Sequence, residues 1–357
     1  MGLHIDLNTT SICNLACTYC SEGNECGLSS LYLKNTNVKV EDIINKIVKQ
    51  PGEKQINFWG GEPLINWNYC KAVIDGLKHN KDVGFFFYTN GVLIKDHIEE
   101  IKKYGDELGP NRFKMQISYD GRYLTDTIRI DKTGKGTSKR VEDAYKLLKE
   151  NNINTSLKSV ISSDGFPHLY DSYLSVVELQ GYYNPTPDLY SNLTFDEFQE
   201  SLKVLGEQLE LIMKHIYDNN LKPETFSWFR KSRATCSAGA NIVGVDLTGE
   251  LFPCHGTFYE GRDEYKIGTL EDFDTNKIDE VREKFRNLKQ SQPFECQSCN
   301  VNFCLRCQAA CLSKSKKETF EEKWTDYQSN WQVCQLFKFV DKYNKTIRYA
   351  MQEKGVI

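Results

Sequence analysis

The chain has 357 residues, of which 39% are hydrophobic and 26% are charged, a composition typical of a globular protein with one large or two medium domains. Its formal net charge of −4 gives no broad basic field, which argues against a nucleic-acid partner. The N-terminus lacks the pattern of a secretion signal, and no apolar run is long enough for a membrane span, so we expect no membrane association. The thirteen clustered cysteines therefore favour a reducing cytoplasm and metal–sulfur chemistry over a disulfide framework.

Strands and helices alternate through the first half of the chain. Alternating or apolar runs predict strands at residues 3–7, 55–59, 84–88, 112–119 and 154–162. Apolar side chains spaced three and four residues apart predict helices at residues 40–50, 66–79, 94–104 and 138–149. This alternation predicts βα units and a parallel sheet, with polar and glycine residues at the carboxyl ends of the strands.

The second half of the chain differs in composition. Residues 184–192 have the prolines of a linker, and Thr194 with Glu197 predicts a capped helix. Eight of the thirteen cysteines lie between positions 236 and 334, and a last helix is predicted at 335–352. We therefore predict three segments: a first domain, a linker with a bridging helix, and a Cys-rich domain that ends in a helix. Their boundaries are 1–190, 191–229 and 230–357.

Cys13, Cys17 and Cys20 have the spacing C-x3-C-x2-C directly after the first predicted strand. Three thiolates this close in sequence can hold one corner of an iron–sulfur cluster. A [4Fe–4S] cube has four irons and normally takes four thiolates, so three cysteines leave one iron open for a small molecule. A structural zinc site, the alternative, normally closes at four ligands.

Other candidate residues follow the later strands. Gly60, Gly61 and Glu62 end the second strand, where glycine lets a backbone approach a ligand and a carboxylate can meet an ammonium group. Asn90 follows the third strand and Ser118 ends the fourth.

The cysteine spacing, with Tyr19 before the last cysteine, resembles that of the radical SAM superfamily. Gly60-Gly61-Glu62-Pro63 is similar to the GGEP motif of that family, and Ser118-Tyr119-Asp120-Gly121 to its Ser-x-Asp-Gly motif. The resemblance implies a partial (β/α)6 barrel over residues 3 to about 185. It also implies a [4Fe–4S] cluster whose open iron is chelated by S-adenosylmethionine. One electron from that cluster would then yield a 5'-deoxyadenosyl radical.

The resemblance also implies roles for single residues. Glu62 would bind the amino group of the methionine moiety, Ser118 would contact the cofactor, and Tyr19 would lie near the adenine. Asn90 and Arg129 would face the cofactor, although a turn asparagine and a surface arginine are equal alternatives.

The C-terminal cysteines are similar to the SPASM domain, which holds two auxiliary iron–sulfur clusters. Carried over, an inner cluster would take Cys236, Cys254 and Cys311. The outer cluster would take Cys296, Cys299, Cys334 and one of Cys304 and Cys307. The chain departs from the family spacing after Cys299, which leaves open which of those two is a ligand. Residues 226–234 contain no cysteine where fully ligated members have one, so our hypothesis is an inner cluster with an open iron. One alternative is that Cys304 or Cys307 fills the gap, since eight thiolates suffice for two closed clusters. A pair of zinc sites is the alternative.

His255 directly follows Cys254, at a position where some relatives place an acidic base, and it is a candidate proton acceptor. A packed or exposed histidine is the alternative, and Asp246 and Glu260 are weaker candidates. Cys26 and Cys70 fit neither cluster and are expected to be free thiols.

The family resemblance implies a cytoplasmic maturase that oxidatively modifies a peptide substrate, with a thioether or other crosslink favoured. It implies three [4Fe–4S] clusters and an electron donor such as flavodoxin or ferredoxin. Because no fused leader-recognition domain precedes the first strand, we expect that leader binding needs a separate protein or another surface of the chain. The alternatives are a dehydrogenase similar to sulfatase maturases, oxidation of a small molecule, and a zinc-binding scaffold without activity. Nucleic-acid modification is disfavoured by the acidic balance.

Overall fold

The structure of the chain is a computed structural model. It describes residues 2–20, 33–47, 52–188, 193–233, 238, 241–257, 265–271, 280, 283, 298–305, 307 and 331–357. These residues fall into two compact units. One comprises the described parts of 1–118, 128–156 and 237–291, and the other those of 119–127, 157–236 and 292–357. The segment boundaries drawn from the sequence near 190 and 230 stay predictions.

Strands and helices alternate from β1 to β6, and the later strands are short. The strands are β1 (Leu3–Thr10), β2 (Lys54–Gly60), β3 (Val83–Thr89), β4 (Phe113–Ser118), β5 (Asn154–Ile161), β6 (Pro185–Pro187), β7 (Ser232–Arg233), β8 (Ile242–Val245), β9 (Glu250–Phe252), β10 (Gly268–Thr269) and β11 (Phe303–Cys304). The helices are α1 (Val40–Asp42), α2 (Trp67–Leu77), α3 (Ile94–Arg112), α4 (Arg122–Thr127), α5 (Ser138–Glu150), α6 (Leu169–Gln180), α7 (Phe195–Asp218) and α8 (Trp331–Glu353). Residues 43–47 continue α1 as a π-helical turn.

A parallel sheet forms the centre of the first unit, with β1, β2, β3 and β4 as neighbours. Ile5 lies opposite Ile56, Ile56 opposite Phe85, and Phe85 opposite Phe113. All four side chains in this row are almost fully buried, and helices such as α2 turn their apolar face towards the core. The structure thus confirms the predicted α/β class with a parallel sheet.

Strands from the C-terminal half complete the same sheet. The strand β8 pairs in parallel with the free edge of β1, so that Ile242 lies opposite His4. The strands β9 and β10 then continue the sheet in antiparallel pairings. A strand that follows β1 by more than two hundred residues therefore lies directly beside it.

The second unit is built around an aromatic core. Trp228 is fully buried and lies against Phe226 and Phe337, and its indole N–H donates to the Pro185 carbonyl. The long helices α7 and α8 pack together, with Gly206 of α7 close to Tyr343 of α8. The predicted cap of α7 is confirmed, because Thr194 and Glu197 exchange hydrogen bonds as a capping box.

One prediction about this unit is wrong. The sequence placed residues 184–192 in a linker, but Pro185–Pro187 forms β6 and pairs in parallel with β5. Prolines lack an N–H group, and they are tolerated in a strand whose N–H side needs no partner, as at a sheet edge.

Among the described residues, no helix has the length and apolar character needed to cross a membrane.

Candidate functional site

The cysteine loop, residues 11–20, directly follows β1 and is held by a second segment of the chain. The amide of Ala16 donates to the Ile130 carbonyl at 2.8 Å, and the amide of Thr18 donates to the Ile128 carbonyl at 3.1 Å. At the start of the loop, the Thr10 hydroxyl donates to the Lys34 carbonyl at 2.6 Å. The loop that bears the three cysteines is therefore fixed by backbone hydrogen bonds at both ends.

Gly60 and Gly61 bring the end of β2 against the same loop. The Gly61 amide donates to the Thr10 carbonyl at 2.7 Å. A Cβ atom on Gly60 would lie 2.3 Å from the Thr10 oxygen, and one on Gly61 would lie 2.4 Å from the Ile12 oxygen. Gly60 also has a φ of 131°, which side chains rarely adopt. Both glycines thus allow β2 to approach the cysteine loop closely. The sequence had predicted that they let the backbone approach a ligand, and that part stays a prediction.

We expect Gly60→Ala to lower the free energy of unfolding more than Gly52→Ala, which serves as a matched control. Both glycines have positive φ, but a Cβ on Gly52 would meet nothing within 4 Å. Gly52→Ala should cost about 1–2 kcal/mol for the left-handed backbone alone. Gly60→Ala should add about 1–3 kcal/mol for overpacking against Thr10. Urea unfolding of the two variants measures the difference, and equal losses would contradict the proposed contact.

Glu62 ties the end of β2 to the end of β3. Its carboxylate is fully buried and accepts three hydrogen bonds, from the Leu64 amide at 3.1 Å, the Thr89 hydroxyl at 2.7 Å and the Asn90 amide at 2.7 Å. Burial raises the pKa of Glu62 to about 7, against the opposing effect of the three donors. These three hydrogen bonds are enough to explain why a carboxylate is buried here without any ligand. Binding of an ammonium group by Glu62 therefore stays a prediction.

Asn90 connects the end of β3 to the cysteine loop. Its amide nitrogen donates to the Asn14 side-chain oxygen at 2.7 Å and lies 3.7 Å from the Cys13 sulfur. The Leu15 amide also points to the Cys13 sulfur, at 3.4 Å. Hydrogen-bond donors around a sulfur stabilise its thiolate form and influence the potential of an iron–sulfur cluster. The ends of three neighbouring strands, β1, β2 and β3, therefore meet at the cysteine loop.

The donor set of this loop fits an iron–sulfur cluster. Cys13, Cys17 and Cys20 are all half-buried thiols. Burial, together with the negative charges of Glu62 and the other two cysteines, raises the pKa of Cys13 to about 12, against the opposing effect of the Leu15 amide. Such a thiol becomes a thiolate at neutral pH only beside the positive charge of a metal. No three metal-binding side chains among the described residues converge on one ion, but a four-iron cube is wider than an ion and needs no such convergence.

Asn8 supplies a second sign of a binding site. It precedes the cysteine loop on β1, and its side chain is fully buried beside Gly60. Neither its amide nitrogen nor its oxygen has a hydrogen-bond partner within the described part of the protein. Because buried polar atoms are normally paired, this amide indicates a water or a bound molecule at the end of β1.

Tyr19 and Arg129 lie together. The Arg129 guanidinium stands 5.2 Å from the centre of the Tyr19 ring, and only 8% of the residue is exposed. The Arg129 carbonyl also accepts a hydrogen bond from Thr137 at 2.8 Å. Arg129 is thus a buried residue of the segment that holds the cysteine loop, and the surface-arginine alternative is excluded.

Ser118, Asp120 and Gly121 follow one another at the end of β4. Ser118 is the last, half-buried residue of the strand. Within the second unit, the buried Asp120 carboxylate accepts from the Val160 amide at 2.9 Å, and Gly121 has a φ of 95° and lies against Ser172. The Asp-Gly pair therefore has a structural role, and a contact from Ser118 to the cofactor stays a prediction.

His255 pairs with a residue that the sequence did not single out. Its Nδ1 lies 2.8 Å from the Oδ2 atom of Asp6 on β1, and its ring lies over Trp59, with 5.2 Å between ring centres. Asp6 is 2% exposed, and its other oxygen accepts from Asn57 at 2.7 Å. Burial opposes ionisation of Asp6, but the hydrogen bonds from His255 and Asn57 and the charges of His255 and His4 together outweigh it and lower the Asp6 pKa. The imidazole is therefore held in one orientation, with about half of its surface exposed.

The C-terminal cysteines are described only in part. Cys254 lies beside His255 in the first unit, and in the second unit Cys304 lies on β11 and Cys334 on α8. These three, together with Cys299 and Cys307, are half-buried. The predicted ligands Cys236, Cys296 and Cys311 lie outside the described residues. The two auxiliary clusters, and the choice between Cys304 and Cys307, stay predictions.

Two of the remaining candidates, Cys70 and Asp246, contact groups that give them a structural role. Cys70 is fully buried within α2, and its sulfur lies 3.7 Å from the Pro63 carbonyl. Burial keeps its pKa well above that of a free thiol, so it is unreactive. The Asp246 carboxylate accepts hydrogen bonds from Thr248 and Glu250 in the turn between β8 and β9. Cys26 and Glu260 lie outside the described residues.

Sequence reasoning missed the polar face of β1 and β2. Asp6 and Asn8 alternate along β1, and Asn57 lies beside Asp6 on β2. Polar residues at alternate positions in two buried strands were a signal that could have found them, because a strand buried on both faces is normally apolar throughout.

Two comparisons of sequence agree with this geometry. Residues 7–179 match the family model of the Radical SAM superfamily. The chain is 24% identical to the radical SAM cyclopropyl synthase TigE of Paramaledivibacter caminithermalis, over 98% of this chain and 76% of that protein. It is also 24% identical to a cysteine-type anaerobic sulfatase-maturating enzyme of Clostridium novyi, over 96% of this chain and 95% of that protein.

A solved structure shares the fold over almost the full length. It is native anSMEcpe with bound AdoMet and the Cp18Cys peptide, and the TM-score is 0.72 at 18% sequence identity. The match covers 98% of this chain and 99% of the other. The range that matches the family begins on β1 and includes the cysteine loop, Glu62 and Arg129. The chain therefore contains a radical SAM domain, which places residues 7–179 in the radical SAM superfamily.

Proposed function

We propose that the chain is a radical SAM maturase that oxidatively modifies a peptide or protein substrate. The observation that carries this proposal is the meeting of the cysteine loop, Gly60–Glu62 and Asn90 at the carboxyl ends of neighbouring parallel strands. In folds with parallel strands, active sites are built at this end. The relative named as a sulfatase-maturating enzyme supports the assignment to the modification of peptides or proteins.

In this proposal Cys13, Cys17 and Cys20 hold a [4Fe–4S] cluster, and the open iron takes S-adenosylmethionine. In the same proposal Arg129, Tyr19 and Asn8 contact the cofactor, which is supported by the contact between Arg129 and Tyr19 and by the unpartnered Asn8 amide. When bound, these groups would supply hydrogen-atom abstraction by a 5'-deoxyadenosyl radical, and the C-terminal cysteines would hold auxiliary clusters that can take up an electron. The chain's own part is to hold the ligands, shield the site from water and accept a proton.

The experiment that tests the proposal is anaerobic reconstitution with iron and sulfide, followed by dithionite and S-adenosylmethionine. We expect about twelve irons per chain, the sum of three four-iron clusters, and formation of 5'-deoxyadenosine. Stoichiometric zinc with little iron and no 5'-deoxyadenosine would overturn the proposal in favour of a metal-bound scaffold. About four to eight irons with 5'-deoxyadenosine, the content of one or two such clusters, would keep the radical chemistry and reject the full auxiliary set.

Among the modifications, we favour a thioether or other crosslink. The absence of a cysteine from residues 226–234 supports an inner auxiliary cluster with an open iron, to which a substrate thiolate can bind. The second candidate is dehydrogenation of a residue, as in a sulfatase maturase, and the similarity to the Clostridium novyi enzyme over nearly the full length favours it. Tandem mass spectrometry of the modified peptide separates the two, since only a crosslink joins two residues.

His255 is the proposed proton acceptor, and Asp6 positions it. Oxidation of a substrate radical releases a proton, and the contact with Asp6 at 2.8 Å orients the imidazole. We expect His255→Ala to lower product formation by about 10²–10⁴-fold while 5'-deoxyadenosine formation stays within a few-fold, because general bases typically contribute that much. Asp6→Asn should lower product formation by a smaller factor than His255→Ala.

The matched control for this prediction is His79→Ala, a substitution of an exposed histidine in the loop after α2. It should leave the yield of product unchanged. If His255→Ala and His79→Ala give the same product yield, His255 is a packed residue with no part in the reaction.

A further inference from the structure

A pair of cations lies within the second unit. Lys158 is in the middle of β5, on the strand face opposite to Leu157, Ser159 and Ile161, which are buried. Its ammonium group donates to the Asn184 carbonyl at 3.2 Å. The Arg230 guanidinium lies 5.9 Å from the ring centre of Tyr182, two residues before Asn184. Each cation thus contacts one end of the short segment 182–184.

This pair has no negative partner among the residues that the structure describes. Burial, together with the positive charge of Arg230, lowers the pKa of Lys158 to about 8, and no described carboxylate acts in the opposite direction. Two carboxylates of the unit are engaged with other cations: Glu224 pairs with Arg348 and Asp341 with Lys345. Two neighbouring half-buried cations without an anion destabilise a fold, so their presence indicates a ligand that supplies the missing charge.

The segments that carry the two cations are held rigidly. The Tyr183 amide donates to the Thr225 carbonyl at 2.6 Å, and the Ser227 amide donates to the Tyr183 carbonyl at 2.9 Å. Both backbone groups of Arg230 are also engaged: its amide donates to Ser227 at 3.1 Å, and its carbonyl accepts from Asn344 at 3.2 Å. A rigid frame around two charged side chains is what a specific binding site requires.

We propose that Lys158 and Arg230 form a binding site for a carboxylate group of the substrate. A planar guanidinium matches the two oxygens of a carboxylate, and the neighbouring ammonium adds a second charge-assisted hydrogen bond. The assignment to the substrate rests on the proposed function, whereas the presence of an anion site does not. The substrate peptide would accordingly present an acidic side chain or its C-terminal carboxylate to β5.

The test uses the full-length protein, reconstituted anaerobically, and N-acetylglutamate as the probe at constant ionic strength. Isothermal titration calorimetry of the wild type should give saturable binding of N-acetylglutamate and none of the neutral analogue N-acetylglutamine amide. Lys158→Met and Arg230→Gln should each weaken binding by about 10–100-fold, the effect of one charge-assisted hydrogen bond. The control Lys146→Met, which replaces an exposed lysine of α5, should bind like the wild type.

Three outcomes would overturn the site. They are absence of binding to the wild type, equal binding by all variants, and binding of inorganic phosphate without binding of N-acetylglutamate. Thermal unfolding without the probe adds a further check, because removal of an uncompensated, half-buried charge should leave the Lys158→Met midpoint unchanged or higher. A clearly lower midpoint would show that Lys158 stabilises the fold and is not kept for binding. Neither measurement depends on 5'-deoxyadenosine, so a failure here is distinguishable from a failure of the proposed function.

Discussion

Replacement of Cys13, Cys17 and Cys20 together by alanine is expected to lower 5'-deoxyadenosine formation by more than about a thousandfold, to the background of the assay. The same variant should lose about four of the irons bound by the wild type, because one four-iron cluster disappears. The three thiols belong to a single loop between two backbone contacts, so their removal leaves no other cysteine within that loop to replace them. Iron content and chromatography of the reaction products measure both effects.

The effect should be specific to these cysteines. Cys70→Ala removes a thiol that is fully buried within α2 and belongs to neither predicted cluster. We expect it to keep both the iron content and the 5'-deoxyadenosine formation of the wild type. If the triple variant still forms 5'-deoxyadenosine at the wild-type rate, the cysteine loop is not the cofactor site, and the assignment of its three thiols is wrong.

Glu62→Ala is expected to be the most destabilising single substitution in the site. It would leave the Leu64 amide, the Thr89 hydroxyl and the Asn90 amide without their acceptor in a fully buried position. Each unsatisfied buried donor costs about 1–3 kcal/mol, so we expect the free energy of unfolding to fall by about 3–6 kcal/mol, allowing for partial relaxation. The cysteine loop should also bind less iron, since Asn90 connects to Cys13 and Asn14.

We call the acceptance of these three hydrogen bonds the bracing role of Glu62. Comparison of Glu62→Gln with Glu62→Ala separates this role from an effect of the negative charge alone. Glu62→Gln keeps one oxygen as acceptor for Leu64 and Thr89, but its amide group would face the Asn90 amide, donor against donor. Its loss of stability should therefore lie between those of the wild type and Glu62→Ala. Glu99→Ala, at an exposed position of α3, is the control and should change stability by less than about 0.5 kcal/mol. Equal stability of Glu62→Ala and Glu99→Ala, measured by urea unfolding, would contradict the bracing role.

The positions of the βα units could be predicted because their cause is local. The row Ile5, Ile56, Phe85 and Phe113 lies on strands that the sequence pattern had indicated, and these strands pair in parallel. The end of α3 was placed too early, at residue 104, because glycine and proline disfavour a helix. In the structure Gly105 packs against Ile153, and the helix continues to Arg112 through a kink at Gly109.

The candidate site was predicted unevenly. The spacing of the three cysteines and the Gly-Gly-Glu-Pro run identified residues that do lie together. The contacts of Gly60 and Glu62 could not be predicted from the sequence, because their partners are distant in sequence. Gly60 packs against Thr10, and Glu62 accepts hydrogen bonds from Thr89 and Asn90.

By itself the sequence determined the α/β class, the order of the first strands and helices, and the cysteine triplet that marks a radical SAM domain. Each of these follows from residues within a few positions of one another, through side-chain periodicity, turn preferences and metal-ligand spacing. Only the tertiary structure decided that β8 lies beside β1, that Asp6 orients His255 across 249 positions of sequence, and that Lys158 stands near Arg230. Such pairs depend on how whole elements pack, and the local pattern around either partner contains no record of the other.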